Sequence, residues 1–221
     1  MPAPFDFLPP EGAVRFDPAN RNTNWAIASS KRVLDLFVAV PAFVLVAPLL
    51  ALLALLIRMD SAGPALFRQK RLGYRGRPFD ILKLRTMRVQ EDGEIVVQAR
   101  RDDARTTRIG RWLRMLSLDE LPQLLNVING EMSLVGPRPH ALVHDTHYAR
   151  LIANYKRRQD VKPGITGWAQ IHGLRGATPT VEIMSRRVDF DAWYANHACL
   201  ALDLKILFRT PLEVFRRRNA Y

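Results

Sequence analysis

The chain has 221 residues, of which 33 are Lys or Arg and 21 are Asp or Glu, giving a formal net charge of +12. With 48% hydrophobic and 24% charged residues, the composition excludes a disordered chain and a polytopic membrane protein, and the length predicts one domain. The single cysteine, Cys199, excludes an intramolecular disulfide, and we expect it to be a small buried hydrophobe. The positive charge admits nucleic acid, an anionic membrane surface or phosphorylated substrates as partners.

An apolar run at residues 33–57 follows a proline-containing tail, residues 1–30, that we expect to be flexible. A straight helix over this run would reach about 37 Å, enough to cross a hydrocarbon core of roughly 30 Å. Pro41 and Pro48 each remove one helical hydrogen bond, and basic residues flank the run on both sides. Because basic residues are found on both sides of the run, both of its ends are expected to lie on the cytoplasmic side of the membrane. The residues alone leave a spanning helix and a helix that returns to the same face equally open.

Two extended segments, residues 65–71 and 78–87, are separated by a glycine-containing turn and predict a β-hairpin. The charge-rich stretch at residues 91–107 is typical of a surface loop.

Three helices are predicted in the second half of the chain. Residues 117–129 place leucines and an isoleucine on one stripe, and residues 179–194 follow Thr178 as the N-cap. Residues 200–218 oppose an apolar face to basic side chains, and Pro211 is expected to kink this helix. The pattern is typical of a helix in the membrane interface. A core helix with one solvated face explains the pattern nearly as well.

Asp119 and Glu120 are the first candidates for chemistry. Ser117 and Glu120 have the spacing of a capping box, and Asp119 in the first helical turn would favour the helix dipole, so a structural role explains both acids. In the functional interpretation, the two neighbouring carboxylates reach different parts of one site. Asp119 then attacks phosphorus while Glu120 holds a metal ion.

Other segments are candidates for anion binding. Arg138 is fixed between two prolines, and a guanidinium held in this way loses little entropy when it binds a phosphate. Lys162 begins a glycine-bearing loop that could present N–H groups to an anion. His140, His144 and His147 have helical spacing, and we interpret them as a solvated face rather than a metal site. No helix-turn-helix or other nucleic-acid motif is found, so no nucleic-acid partner is expected.

Six ordered motifs together with the apolar run resemble the bacterial sugar transferase family, the monotopic polyprenyl-phosphate phosphoglycosyl transferases. The resemblance covers about residues 30–215. The motifs are KRVLD at 31–35, KLRTM at 83–87, SLDELPQ at 117–123, SLVGPRP at 133–139, KPGITGWAQ at 162–170 and DLK at 203–205.

This resemblance implies that a UDP-sugar gives its hexose-1-phosphate to undecaprenyl phosphate and releases UMP, as the first membrane step of exopolysaccharide or other glycoconjugate synthesis. UDP-glucose or UDP-galactose is the expected donor. Asp119 would be the nucleophile that forms a covalent phosphosugar intermediate, and Glu120 would hold Mg²⁺. Cations offset the repulsion between a carboxylate and a diphosphate. The predicted phosphate-binding side chains are Lys83, Arg85, Arg114, Arg138 and Lys162.

The resemblance also implies a fold and a location. It predicts an α+β, mostly helical chain with a short β-hairpin, interfacial amphipathic helices and a membrane helix at residues 31–58. This helix would be re-entrant and broken at Pro48, although Ala47 stands where many relatives have serine. Residues 59–221 would form the catalytic domain, on the cytoplasmic face of the bacterial inner membrane and in contact with its anionic lipids. The oligomeric state stays open.

Two other functions fit parts of the sequence. A membrane-bound nucleotide-sugar pyrophosphatase would use water as the acceptor in place of the lipid. A basic, membrane-anchored scaffold would explain the charge and the apolar run, but not an arginine between two prolines beside an acid pair.

Overall fold

The computed structural model describes residues 24–88, 103–176 and 178–216. Most of the predicted tail and surface loop, and the chain after residue 216, lie outside these ranges. The helices are α1 (Asn24–Ile27), α2 (Ser29–Asp60), α3 (Arg108–Met115), α4 (Gln123–Ile128), α5 (Leu142–Leu151), α6 (Trp168–Ile171), α7 (Val181–His197) and α8 (Leu200–Arg216). The strands are β1 (Leu66–Leu72), β2 (Pro78–Leu84), β3 (Ser133–Val135) and β4 (Gly164–Thr166). The predicted fold class, α+β and mostly helical, is confirmed.

Helix α2 carries the apolar run and is the one described helix that is long and apolar enough to cross a membrane. Pro41 and Pro48 both lie inside it. Most of its large side chains are exposed, with Phe37 77% and Leu45 81% accessible. In a water-soluble protein such a surface is unfavourable, because each exposed apolar side chain lacks the favourable free energy of transfer from water into an apolar environment. The helix therefore fits a chain that is associated with a membrane.

Both ends of α2 contact the rest of the protein. At the start, Lys31 forms a buried ion pair with Asp203 of α8 at 2.5 Å, and the Asp35 carboxylate accepts hydrogen bonds from the backbone and hydroxyl of β3. At the end, Ile57 packs with Leu84 and Leu113. Charge pairing thus fastens the start of α2 to α8 and β3, and apolar packing fastens its end to β2 and α3.

The predicted hairpin is confirmed as antiparallel β1 and β2, in a register that pairs Leu66 with Leu84 and Leu72 with Pro78. Its turn uses two consecutive residues with positive φ, Arg75 at 54° and Gly76 at 70°. Lys83 lies near the end of β2, and its side chain contacts Glu120.

A second, parallel pair of strands was not predicted. Strands β3 and β4 pair Ser133 with Gly164 and Val135 with Thr166. The backbones come so close that a Cβ on Gly136 would lie 2.2 Å from the Lys162 carbonyl oxygen, and one on Gly164 would lie 2.1 Å from the Gly136 nitrogen. Any side chain at either glycine would force the two segments apart. This pairing fixes the loop that carries Arg138.

The predicted helix over residues 117–129 is wrong in its first half. Ser117 adopts a left-handed conformation, with φ 58°, and does not cap the turn that follows. A single 3₁₀ turn covers Leu118–Glu120, and α4 begins only after Pro122. Proline lacks an N–H and is tolerated where a helix starts, so a new helix begins there instead of an old one continuing.

Several smaller predictions also need correction. Thr180, not Thr178, caps α7 by accepting from the Ile183 N–H, because the helix starts beyond Pro179. Cys199 is exposed, since it lies in the short link between α7 and α8. His140 is buried rather than solvated, because it precedes α5 and hydrogen-bonds to the Tyr155 hydroxyl.

The predicted amphipathic helix at the end of the chain is observed as α8. Ile206 on its inner side is fully buried in the main core, where Val127 and Met132 also lie. Leu204, Phe208 and Leu212 are exposed on the outer side. The helix therefore has both a core face and an unpartnered apolar face.

Candidate active site

Asp119 and Glu120 lie together in the 3₁₀ turn between α3 and α4. The left-handed Ser117 reverses the chain after α3, and Pro122 starts α4, so the two acids occupy a tight turn held at both ends. Glu120 is buried, whereas Asp119 is half-buried. The two neighbouring carboxylates therefore differ in their surroundings.

Three cations contact the Glu120 carboxylate. Lys83 Nζ lies 3.0 Å from Oε1, Arg138 Nη1 lies 3.1 Å from Oε2, and Arg175 Nη2 lies 3.3 Å from Oε2. The second Arg138 nitrogen donates to Oε1, so this pair has two parallel hydrogen bonds. A two-point contact between a guanidinium and a carboxylate fixes the orientation of both groups.

The Asp119 carboxylate accepts no hydrogen bond from the residues that the structure describes. Burial and the negative charge of Glu120 raise the pKa of Asp119 to about 6, although Lys83, Arg138 and Arg114 act in the opposite direction. At neutral pH this side chain is an ionised carboxylate, and no cation from the described part of the chain is bound to its oxygens. Such a group is suited to attack an electrophile.

The pKa of Glu120 is shifted in the opposite direction from that of Asp119, to a lower value. Burial tends to raise the pKa of Glu120, but the charges of Arg138 and Lys83 outweigh it and hold the pKa well below its usual range. Two adjacent carboxylates whose environments separate their pKa values are typical of a catalytic pair with divided roles.

Two arginines, the buried Arg158 and the half-buried Arg71, hold the Arg138 loop in place. Arg158 donates to the Arg138 carbonyl, and Arg71 donates to the next carbonyl, that of Pro139, at 2.9 Å. Arg158 is in turn paired with Asp191 at 2.9 Å. The main chain that carries the Arg138 guanidinium is therefore fixed by a proline on each side and by hydrogen bonds to the Arg138 and Pro139 carbonyls.

The structure brings together only some of the predicted phosphate-binding residues. Lys83 and Arg138 contact Glu120, and the charge of Arg114 acts on Asp119. Arg85 instead donates to the Ser61 and Ala62 carbonyls at the end of α2. Lys162 lies beside Arg32 and Gly130 near the end of α4.

Arg175 was missed as a site residue by the sequence interpretation. Its Nη2 donates to the Ser117 hydroxyl at 2.8 Å as well as contacting Glu120. It lies in a stretch without helical or strand periodicity, so no pattern marked it. The positions that hold the Arg138 loop, Arg71 and Arg158, carried no local signal either.

No cluster of three or more His, Cys, Asp or Glu side chains able to hold a metal occurs within the described ranges. Asp119 and Glu120 are the carboxylates available at this site. Mg²⁺ is commonly held by one or two carboxylates together with substrate phosphates. These carboxylates therefore fit a Mg²⁺ ion whose coordination shell is completed by the phosphates of a substrate.

The family model described as bacterial sugar transferase matches residues 26–217. This chain belongs to the bacterial sugar transferase family. The predicted membership is confirmed, and the site described above lies wholly inside the matched region.

Curated members of the family include close relatives of this chain. The UDP-glucose:undecaprenyl-phosphate glucose-1-phosphate transferase of Caulobacter vibrioides is 50% identical over 99% of this chain and 82% of its own length. The Escherichia coli K12 protein of the same name is 47% identical over 86% of this chain, which spans 41% of that relative. An exopolysaccharide production protein of Rhizobium leguminosarum is 40% identical over 86% of this chain and 98% of its own length.

Proposed function

We propose that this sugar transferase transfers glucose-1-phosphate from UDP-glucose to undecaprenyl phosphate and releases UMP, as the first membrane step of exopolysaccharide synthesis. The observation that carries the proposal is the contrast within the acid pair: Glu120 is held by three cations, whereas the Asp119 carboxylate has no such partner among the described residues. The sequence favoured glucose or galactose, and the names of the relatives from Caulobacter and Escherichia favour glucose. None of these names supports the pyrophosphatase or scaffold alternatives.

In the first step, an Asp119 carboxylate oxygen attacks the β-phosphorus of the donor. A bond forms between this oxygen and phosphorus, and the bond from phosphorus to the bridging oxygen breaks. UMP leaves with the bridging oxygen and its electron pair. The product is an acyl phosphate that links glucose-1-phosphate to Asp119. Splitting the transfer in this way lets a water-soluble donor and a lipid acceptor use one site in turn.

In the second step, a phosphate oxygen of undecaprenyl phosphate attacks the same phosphorus. The bond between phosphorus and Asp119 breaks, and the carboxylate is regenerated. The lipid leaves carrying a diphosphate and the sugar. Each step replaces one oxygen on phosphorus by another, so no oxidant or external reductant is needed.

The cations of the site lower the barrier to both steps. A carboxylate that approaches a diphosphate is repelled by its negative charge, and the same charge grows on the leaving group. Arg138 and Lys83 already face the acid pair, and Arg114 acts on Asp119 from α3. Because Arg138 is held by its own backbone contacts, little reorganisation is required when the donor binds.

We also propose Mg²⁺ as the cofactor, held by Glu120 and by the phosphates of the donor. When bound, such an ion neutralises phosphate charge and acts as a Lewis acid at phosphorus. Three cations, Lys83, Arg138 and Arg175, already surround the single negative charge of Glu120, so the donor's diphosphate has to supply the negative charge that an additional dication requires.

For α2 we propose a re-entrant geometry, with the catalytic domain on the cytoplasmic face of the inner membrane. Contacts at both ends support it, because Lys31 pairs with α8 while Ile57 packs against Leu113 of α3. The exposed leucines and Phe208 of α8 support a second, shallow contact with the bilayer and its anionic lipids. Pro48, near the middle of α2, stays the predicted position of the break.

The test is UMP release by detergent-solubilised protein with Mg²⁺, offered UDP-glucose or UDP-galactose, with and without undecaprenyl phosphate. We expect sustained release from UDP-glucose only when the lipid is present, and loss of release when EDTA removes the metal. Release that ignores the lipid would identify a pyrophosphatase. An intact donor under all conditions would support a binding protein and contradict the proposal.

A further inference from the structure

A cavity of about 150 Å³ lies next to the acid pair, and the two chemical steps above do not account for it. Glu120, Ser117 and Arg175 belong to its lining and contact one another. Thr166 of β4 and Thr210 of α8 also line it. The cavity therefore extends from the cationic surroundings of Glu120 to the inner side of α8.

Most of the cavity surface is apolar, and four aliphatic side chains contribute to it. Leu121 and Leu124 come from the turn and helix after the acid pair, and Ile165 and Ile171 come from β4 and α6. Two polar wall atoms satisfy each other, since the hydroxyls of Thr166 and Thr210 are hydrogen-bonded at 2.7 Å. The wall therefore presents a hydrocarbon-like surface to whatever enters it.

Helix α8 separates this cavity from an exposed apolar face. Thr210 points into the cavity lining, and it is two residues from both Phe208 and Leu212, which places it on nearly the opposite side of the helix. A helix is about 10 Å across with its side chains. A molecule in the cavity thus lies about one helix diameter from the face that we place in the bilayer.

We infer that this cavity binds the phosphate-proximal isoprene units of the polyprenyl phosphate acceptor, with Arg175 holding the acceptor phosphate. The inference rests on the proposed function and assigns a location to its second substrate. A cavity of about 150 Å³ lined by aliphatic side chains accommodates benzene, so one isoprene unit of five carbons fits. Arg175 supplies the positive charge that the acceptor phosphate requires.

The donor fits this cavity less well than the lipid. A hexose has several hydroxyl groups, and a site that selects it needs several polar partners. Polar side chains of the lining are already paired: Arg175 with Ser117 and Glu120, and Thr166 with Thr210. Gln170 Nε2 donates to the Ile165 carbonyl, and Gln170 Oε1 is left without a partner within the described ranges. Glu213 of α8 adds a carboxylate to the lining, which disfavours a phosphate at that position and favours one beside Arg175.

The first test is protection of an introduced thiol, which needs no turnover. Thr210→Cys is combined with Cys199→Ser, and the rate of thiol labelling is measured with farnesyl phosphate, inorganic phosphate or UDP-glucose present. We expect farnesyl phosphate alone to slow labelling at least fivefold. In the wild-type chain, labelling of the exposed Cys199 serves as the control and should not change. Failure of farnesyl phosphate to protect, or protection by UDP-glucose instead, would overturn the inference.

The second test separates the two half-reactions. Ile165→Trp fills the cavity, and Val181→Trp makes the same change at an exposed position of α7. For Ile165→Trp we expect the single-turnover release of UMP to stay within twofold of wild type. Transfer to undecaprenyl phosphate should fall at least tenfold, with a higher KM for the lipid. Val181→Trp should change neither.

Equal loss of both half-reactions in Ile165→Trp, or loss of neither, would contradict the assignment of the cavity. The nearly isosteric Thr210→Cys keeps the first test independent of how the bulkier variant folds. If the protein released no UMP from any donor, the proposed function would fail, while thiol protection would still report whether a polyprenyl phosphate occupies the cavity.

Discussion

Arg158 donates a hydrogen bond to the main-chain carbonyl of Arg138, the arginine that grips Glu120 through two hydrogen bonds. Arg158 is itself almost fully buried and pairs with Asp191, and Asp145 lies 3.8 Å away. A buried charged network therefore lies directly behind Arg138 and Glu120. Its members are all needed, because removing one leaves an uncompensated charge inside the protein.

We expect Arg158→Gln to lower the free energy of unfolding by about 3–5 kcal/mol, because Asp191 loses its partner in a buried position. Lys156→Gln removes a charge from the exposed surface two residues earlier and should change stability by less than about 0.5 kcal/mol. Thermal unfolding in detergent compares the two variants. Equal effects at both positions would show that the network does not contribute to stability.

The pH dependence of the first half-reaction reports on Asp119. With a pKa of about 6, the ionised fraction of this carboxylate falls from about 90% at pH 7 to about 10% at pH 5. Only the ionised form is a nucleophile, so single-turnover UMP release should slow about tenfold over this range. An aspartate with an ordinary pKa would lose little activity. A rate that is unchanged at pH 5 would contradict the raised pKa.

Lys83 should determine the pH at which the rate of UMP release falls to half of its maximum, the midpoint of the acidic limb of the pH profile. Burial and Glu120 raise the pKa of Asp119, while the positive charge of Lys83 opposes them. Lys83→Gln therefore moves the midpoint of the limb to higher pH, in addition to lowering the rate. Lys70→Gln, which removes an exposed lysine from the same hairpin, should leave the midpoint in place. An unchanged midpoint for Lys83→Gln would show that its charge does not act on Asp119.

The membrane geometry of α2 can be tested with one cysteine just before it, at the end of α1, and one near its C-terminal end, in a chain that also carries Cys199→Ser. Ile27 and Met59 are both exposed, with 54% and 75% of their surfaces accessible. A re-entrant helix places Ile27→Cys and Met59→Cys on the cytoplasmic side. A membrane-impermeant thiol reagent should then label both in inverted vesicles and neither in intact cells. Labelling of one end from the periplasm would instead establish a spanning helix.

Much of this architecture could be predicted from local patterns in the sequence. The apolar run, the glycine turn of the hairpin and the amphipathic character of α8 depend on residues close together in the chain, and all three are observed. Arg138 was predicted as a phosphate-binding residue from its flanking prolines and the family resemblance, and its contact with Glu120 was not predicted. In the first three cases the local chemistry is enough to specify the structure.

The remaining features depend on contacts between distant residues. Glu120 and Arg175 are separated by 55 positions, and no periodic pattern relates them. The capping-box spacing of Ser117 and Glu120 predicted a single helix, but the left-handed Ser117 and Pro122 divide that segment into a turn and a helix. A short-range pattern predicts which conformation is favourable. Tertiary packing decides whether that conformation is used.

The central claim is that Asp119 carries the phosphosugar between donor and acceptor. The most direct measurement is mass spectrometry of the intact protein, mixed with UDP-glucose and Mg²⁺ in the absence of lipid. We predict one glucose-phosphate adduct per chain, located on Asp119, formed together with one equivalent of UMP and removed by undecaprenyl phosphate. Asp119→Asn should form none. An unmodified wild-type chain that releases UMP only when the lipid is added would contradict the covalent route and favour direct transfer.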